Sequence, residues 1–155
     1  MKNGICNMEL EQLGEYAELF TEVFNAEPWN DSWTKELSAA RIKGFMTTST
    51  FLGKAIYADG ELKGIIFGQK EQYFNGIHFQ IQEFCVRTDG QKKGYGSALL
   101  EALERELDEI GAVNIFLITS KGERTEGYYS KKGFQTSDFM VLMTNGDFKK
   151  NEPKE

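Results

Sequence analysis

Gln91-Lys92-Lys93-Gly94-Tyr95-Gly96-Ser97 is the stretch on which the reading of this chain turns. It follows a strand-like run, Ile77 to Arg87, and leads into a helix-like one, Ser97 to Ile110. Two glycines in such a turn let the backbone bend tightly and bring several N–H groups toward one point. The start of a helix adds partial positive charge, and Arg87, Lys92 and Lys93 add full charges. These are the ingredients of a pyrophosphate cradle. A Walker loop would need its lysine after the second glycine, but here the lysines precede Gly94. A dinucleotide fingerprint would need a third glycine where Leu99 stands, after a parallel unit and not after hairpins. A plain strand-to-helix turn with a surface lysine pair stays open as the alternative.

Outward from this loop the texture changes several times. Leu10, Leu13, Ala17, Phe20 and Phe24 recur at helical spacing. Glu27 to Asp31 breaks that stripe, and Asn30 to Ser32 offer caps for a second helix over 33–47, with Leu37, Ala40 and Arg41 on one side. Phe51 to Ala58 and Leu62 to Tyr73 read as strands joined at Asp59-Gly60, a strong hairpin signal. Asn75-Gly76 signals a second hairpin into the Ile77–Arg87 strand. On it, Ile77, Phe79, Ile81, Glu83 and Cys85 share one face by alternation. The helix over 97–110 buries Leu99, Leu103, Leu107 and Ile110 and stops at Gly111. Ala112 to Thr119 is apolar enough to predict a strand covered on both faces. Strand, crossover helix and strand make the last two strands parallel. Thr125 to Lys132 is a short helix, and Phe134 to Thr144 holds one or two final strands. The order predicts a single mixed α/β domain (α+β in texture) over 1–144, with a polar tail over 145–155.

Composition narrows the function. The chain has 155 residues, with 18 Lys and Arg against 24 Asp and Glu, for a net charge of −6. That argues against a nucleic-acid partner. One histidine, His78, and two cysteines, Cys6 and Cys85, exclude a zinc finger, a disulfide scaffold and multi-histidine metal sites. No metal is expected. No apolar run reaches membrane-spanning length and no signal segment is evident, so the expectation is a soluble, cytoplasmic protein with reduced thiols and no membrane partner.

Two signatures together resemble the GNAT superfamily of acyl-CoA-dependent N-acyltransferases, over about Met8 to Thr144. Phe84-Cys85-Val86-Arg87, followed by Gln91 to Leu100, resembles the family's Q/R-x-x-G-x-G/A motif running into its long helix. Tyr128-Tyr129-Ser130-Lys131-Lys132-Gly133-Phe134 looks like its Tyr-x-x-x-Gly-Phe signature. The resemblance implies a mostly antiparallel mixed sheet, a central parallel pair of strands splayed near Val86 and Phe116, and flanking helices. It implies acetyl-CoA as donor. The N–H groups from Lys92 to Ser97, within the Gln91–Ser97 loop, would hold the pyrophosphate. Main-chain groups of Cys85, Val86 and Arg87 would pair with the pantetheine arm. Tyr129 matches the position whose hydroxyl protonates the departing thiolate. The family often has Asn seven residues and Ala four residues before this Tyr; here those positions are Gly122 and Thr125, so a side-chain contact to the cofactor is missing or supplied otherwise. Dimers are common among similar proteins.

The chemistry agrees with these residues. Amide formation from a thioester needs a deprotonated amine, a polarised carbonyl and a stabilised leaving thiolate. A phenol such as Tyr129 stays protonated at neutral pH and donates to a thiolate; an ordinary core aromatic is its other reading. Glu83, an ionisable residue in an apolar strand, is the candidate base, with burial raising its pKa; a solvated or acceptor-binding carboxylate is the alternative. The N–H of Val86 is the expected carbonyl-polarising donor. Trp29, Asp31 and Trp33 lie in the helix junction that commonly lines the acceptor pocket of this family, and Tyr73 is a further candidate for that wall. Core tryptophans with an N-cap explain the same junction equally well. Cys85 reads as an inert core thiol and His78 as a surface residue. The expected activity is acetylation of a small primary amine, polyamine-, aminoglycoside- or amino-acid-like. A protein N-terminal or lysine acetyltransferase and a non-catalytic acyl-CoA-binding regulator are the competing readings.

Overall fold

The computed structural model describes residues 2–90 and 93–148. The chain divides into two compact units, Met1–Ile118 and Thr119–Glu155.

The first unit is built on a five-stranded sheet in sequence order: β1 (Gly4–Asn7), β2 (Phe51–Ala58), β3 (Glu61–Tyr73), β4 (Gly76–Val86) and β5 (Asn114–Leu117). The first four strands pair antiparallel and β5 runs parallel to β4. This is the mixed sheet expected from the hairpins and the crossover. The β2–β3 turn takes the left-handed conformation at both Asp59 (φ 55°) and Gly60 (φ 77°), which suits the right-handed twist of the paired strands. Strand β1 was not legible in the sequence: it has four residues, all exposed, and its place comes from pairing with β2. Strand β5 is shorter than predicted, and its residues are half-buried or exposed, not covered on both faces. It is an edge strand among the described residues.

Three helices cover the sheet. Helix α1 (Leu13–Asn25) buries Tyr16, Ala17, Leu19, Phe20, Val23 and Phe24. Helix α2 (Lys35–Met46) packs on α1 and starts later than predicted. Its cap is Thr34, whose hydroxyl accepts from the Leu37 amide at 3.1 Å, so Asn30 to Ser32 stay in the connection. Its buried residues are Ser38 and Ile42, and Leu37 is exposed. With Met8, Ala55, Tyr57, Leu62, Ile65, Phe67 and Cys85, these two helices form one apolar cluster. Helix α3 (Tyr95–Glu109) buries Leu99, Leu100, Leu103 and Leu107 on the other face, where Leu99 closes over Gly64 and Val86. Ile110, predicted buried, ends the helix exposed. No helix among the described residues is long and apolar enough to cross a membrane.

The alternation read along β4 changes phase inside the strand. Phe67 pairs with Glu83, but the next residue, Gly68, pairs with Ile81. Gln82 is therefore the extra residue of a bulge, and one extra residue exchanges the faces of what precedes it. Glu83 and Cys85 face α1 and α2, as their contacts with Arg41 and with the apolar cluster show. Phe79 and Ile81 are buried outside that cluster. The single face predicted for Ile77 through Cys85 is thus split at Gln82.

The second unit holds α4 (Glu126–Lys131). The strands predicted within Phe134 to Thr144 are not formed. Phe139 through Met143 are strongly exposed, and among the described residues this unit has no strand with which to share a ladder; an extended segment without a partner gains nothing over solvation by water.

At the bulge, a Cβ on Gly68 would overlap the Gln80 carbonyl and crowd Phe79. Gly68→Ala is expected to destabilise the protein by about 3 kcal/mol, read as a lower urea midpoint at unchanged m-value.

Candidate functional site

Strand β4 is the framework of the site. Its pairing with β5 runs from His78–Asn114 to Ile81–Leu117, where β5 ends, while β4 continues to Val86. The continuation carries Glu83, Cys85 and Val86 and leads through a turn at Thr88–Gly90 toward α3.

Glu83 sits within the apolar layer, its side chain 17% exposed. Arg41 of α2 donates from Nε to its Oε2 at 2.7 Å. Burial pushes the Glu83 carboxyl above the usual range, the Arg41 bond and charge pull it back, and the Asp31 charge adds a small upward push. Burial wins. The Arg41 guanidinium also lies over the Phe45 ring, 5.2 Å from its centroid. Residue spacing alone did not find this pair, because Glu83 is 42 positions away. The signal available was Arg41 beside the buried Ile42, at the border of the helix's inward stripe.

The connection between α1 and α2 is held by Asn25. Its side chain donates to the Trp33 carbonyl (2.9 Å) and accepts from the Trp33 amide (2.7 Å). The Asp31 amide donates to the Phe24 carbonyl at 2.9 Å. Trp33 stands edge-on to Phe20 at 4.9 Å, and Trp29 edge-on to Phe24 at 5.0 Å. Both tryptophans pack against the core cluster, half-buried. The Trp33 indole N–H donates to Asp31 Oδ2 at 3.1 Å, which turns that carboxylate along the junction. The junction thus gathers Asp31 and the two tryptophans on the side of the sheet that carries Arg41 and Glu83. Tyr73 is not part of this group. It lies at the hairpin end of β3, paired with Gly76, seven residues along β4 from Glu83, roughly 20 Å at the rise of a strand. There it stacks on His78 at 4.1 Å, and His78 also contacts Asn75 and Asn114.

Gln91 and Lys92 lie outside the described residues. Lys93 is exposed. Gly94 precedes α3 in the left-handed conformation, φ 83°, which a residue with a side chain adopts only under strain. Among the described residues no side-chain hydrogen bond caps the start of α3 at Gly94. Arg87 is engaged elsewhere: its amide donates to the Lys63 carbonyl (2.7 Å), its Nε to the Leu62 carbonyl (2.9 Å), and its Nη1 to Glu22 (2.6 Å), with Glu61 at 3.5 Å. Its charge is balanced within the protein. The Cys85 thiol is buried, and burial pushes its pKa strongly upward, so it stays a neutral core thiol. No group of three or more His, Cys, Asp or Glu among the described residues could hold a metal.

In the second unit, Tyr129 lies in α4, edge-on to Tyr128 (5.3 Å) and to Phe134 (5.6 Å). The Phe134 amide donates to the Tyr129 carbonyl at 3.0 Å, closing the turn through Gly133. Burial raises the pKa of the neighbouring Tyr128.

The model of the acetyltransferase (GNAT) family matches residues 13–134. No curated protein matches by sequence. Among solved structures, a possible acetyltransferase from Clostridium difficile is similar with TM-score 0.78 at 14% identity, over 91% of this chain and 95% of that one. Ribosomal-protein-alanine N-acetyltransferase from Brucella melitensis has TM-score 0.73 at 17% identity, covering 91% and 98%. Glucosamine-6-phosphate N-acetyltransferase from Arabidopsis thaliana has TM-score 0.68 at 17% identity, covering 93% and 99%.

Removing the Arg41 guanidinium removes the influence that lowers the Glu83 pKa. In Arg41→Gln the Glu83 carboxyl is expected to titrate at higher pH than in the parent protein, measured by carbon NMR of the labelled side chain. An unchanged titration would contradict the assigned balance.

Proposed function

The chain belongs to the GNAT family of acetyltransferases, and on that premise we propose that it transfers an acetyl group from acetyl-CoA directly to the primary amine of a small molecule. The observation that carries this reading is Glu83, a largely but not fully buried carboxylate on the part of β4 that has run past the end of β5. A thioester lying along that segment would present its carbonyl to a group bound beside Glu83.

Acetyl-CoA supplies the activated acyl group and a thiolate leaving group; this chain supplies binding and proton transfer. The left-handed Gly94 at the start of the long α3 fits a pyrophosphate, because backbone amides turned by the glycine and the positive end of the helix dipole favour an anion there. Cys85 and Val86 would offer main-chain groups to the pantetheine arm in the manner of an added strand. Arg87 does not offer its amide, which Lys63 already takes. Glu83, as carboxylate, would accept the ammonium proton of the acceptor, directly or through water. Its raised pKa places this base closer to neutrality than an ordinary carboxylate. Tyr129, at the family's signature position, is proposed to donate the proton that the departing thiolate needs. Asp31 and the two tryptophans would form the wall that receives the amine.

Acetyl-CoA at about 100 times its Kd should raise the melting temperature by roughly 5–10 °C. No shift at millimolar donor would overturn the reading. Tyr129→Phe should lower kcat by about 100-fold while leaving the CoA-induced shift intact, and Glu83→Gln should do likewise and remove the acid limb of the pH–rate profile.

A further inference from the structure

Arg41 is joined to Glu83 through one nitrogen only. Its Nε makes the 2.7 Å bond to Oε2, and no hydrogen bond of its two terminal amino nitrogens forms among the described residues. The guanidinium is planar, with five N–H donors in a rigid fork, so the edge turned away from Glu83 keeps donors in the geometry that matches a carboxylate or phosphate. The side chain is 35% exposed, while Phe45 supports one face of the plane at 5.2 Å. The free edge is thus both held and reachable. Arg87, by comparison, spends its donors on Leu62, Glu22 and Glu61.

We infer that Arg41 is a specificity residue of this site: its free edge binds an anionic group, a carboxylate or phosphate, carried by the same acceptor whose amine meets Glu83. This rests on the reading of Glu83 as the residue beside the acceptor amine. A negative charge (Glu83, with Asp31 near enough to act on it) and the free edge of one guanidinium then lie side by side. That pattern complements a zwitterion in which the ammonium and the anion are close together, as in an α-amino acid. A polyamine, with cations only, would leave the Arg41 edge facing positive charge.

The test uses the full-length protein and matched acceptors: free L-amino acids against their carboxamides, and phosphoethanolamine against ethanolamine. The intrinsic basicity of each amine cancels when every acceptor is compared between the parent enzyme and Arg41→Gln. The loss in kcat/KM for the anionic member of a pair should exceed the loss for its uncharged partner by about tenfold or more, and should reside in KM. The pair that shows the excess tells carboxylate from phosphate. Arg41→Lys should recover part of the charge attraction but not the two-point geometry, leaving KM between the two. Equal losses within each pair would overturn the inference and leave Arg41 as a positioning residue for Glu83. Acetylation of cationic or neutral amines in preference to all anionic ones would overturn it as well. So would failure of every anionic acceptor while acetyl-CoA still raises the melting temperature. If acetyl-CoA gives no shift, the proposed function itself fails.

Discussion

Strands β3 and β4 pair from Gly64–Val86 down to Tyr73–Gly76, and their register slips once, where Phe67 faces Glu83 and Gly68 faces Ile81. That slip depends on a glycine, because a side chain on residue 68 would collide with the Gln80 carbonyl. Much of the first unit follows from it. Below the slip, β4 accepts β5 as a parallel neighbour. Above it, the strand presents Glu83 and Cys85 to α1 and α2. Without the extra residue, alternation would carry the Phe79–Ile81 face into the same layer as Glu83. The bulge lets one strand bury Phe79 and Ile81 on one face and present Glu83 and Cys85 to the helices on the other.

Burial of a carboxylate in that layer has a cost, and Arg41 offsets part of it. The pair is asymmetric. Glu83 is the more buried partner and its pKa remains raised, while Arg41 is partly exposed and uses one of its three nitrogens. A pair evolved for stability alone would more naturally be bidentate and symmetric in exposure. One-point attachment beside an open edge is an arrangement with donors to spare. The two arginines differ in how they are paired: Arg87 is neutralised by Glu22 and Glu61, and among the described residues Arg41 bonds only through Nε, to Glu83.

The hairpins and the crossover helix were legible because their causes are local. Asp59-Gly60 suits a tight turn wherever it occurs, and Leu99, Leu103 and Leu107 mark an inward stripe without knowledge of what lies opposite. Less local features were not. Strand β1 has no buried residue to mark it and exists through its ladder with β2. The start of α2 moved to Thr34 because Asn25 fastens Trp33 outside the helix. Tyr73 had the right chemistry for an acceptor wall, but strand length carries it to the far end of the sheet.

The sequence alone determined the chemistry available to this protein. It holds a glycine-bearing turn ahead of a long helix, an acidic residue in an apolar strand, a tyrosine in its signature and almost no histidine or cysteine. These are properties of residue type and spacing along one segment, and the covalent order of the chain sets them. Tertiary structure decided which groups meet. It brought Arg41 to Glu83 across 42 residues, spent Arg87 on internal ion pairs and packed the two tryptophans edge-on against Phe20 and Phe24. The physical reason is that a charged group's role depends on its burial and on its nearest opposite charge, and both are fixed by packing between segments that share no local signal.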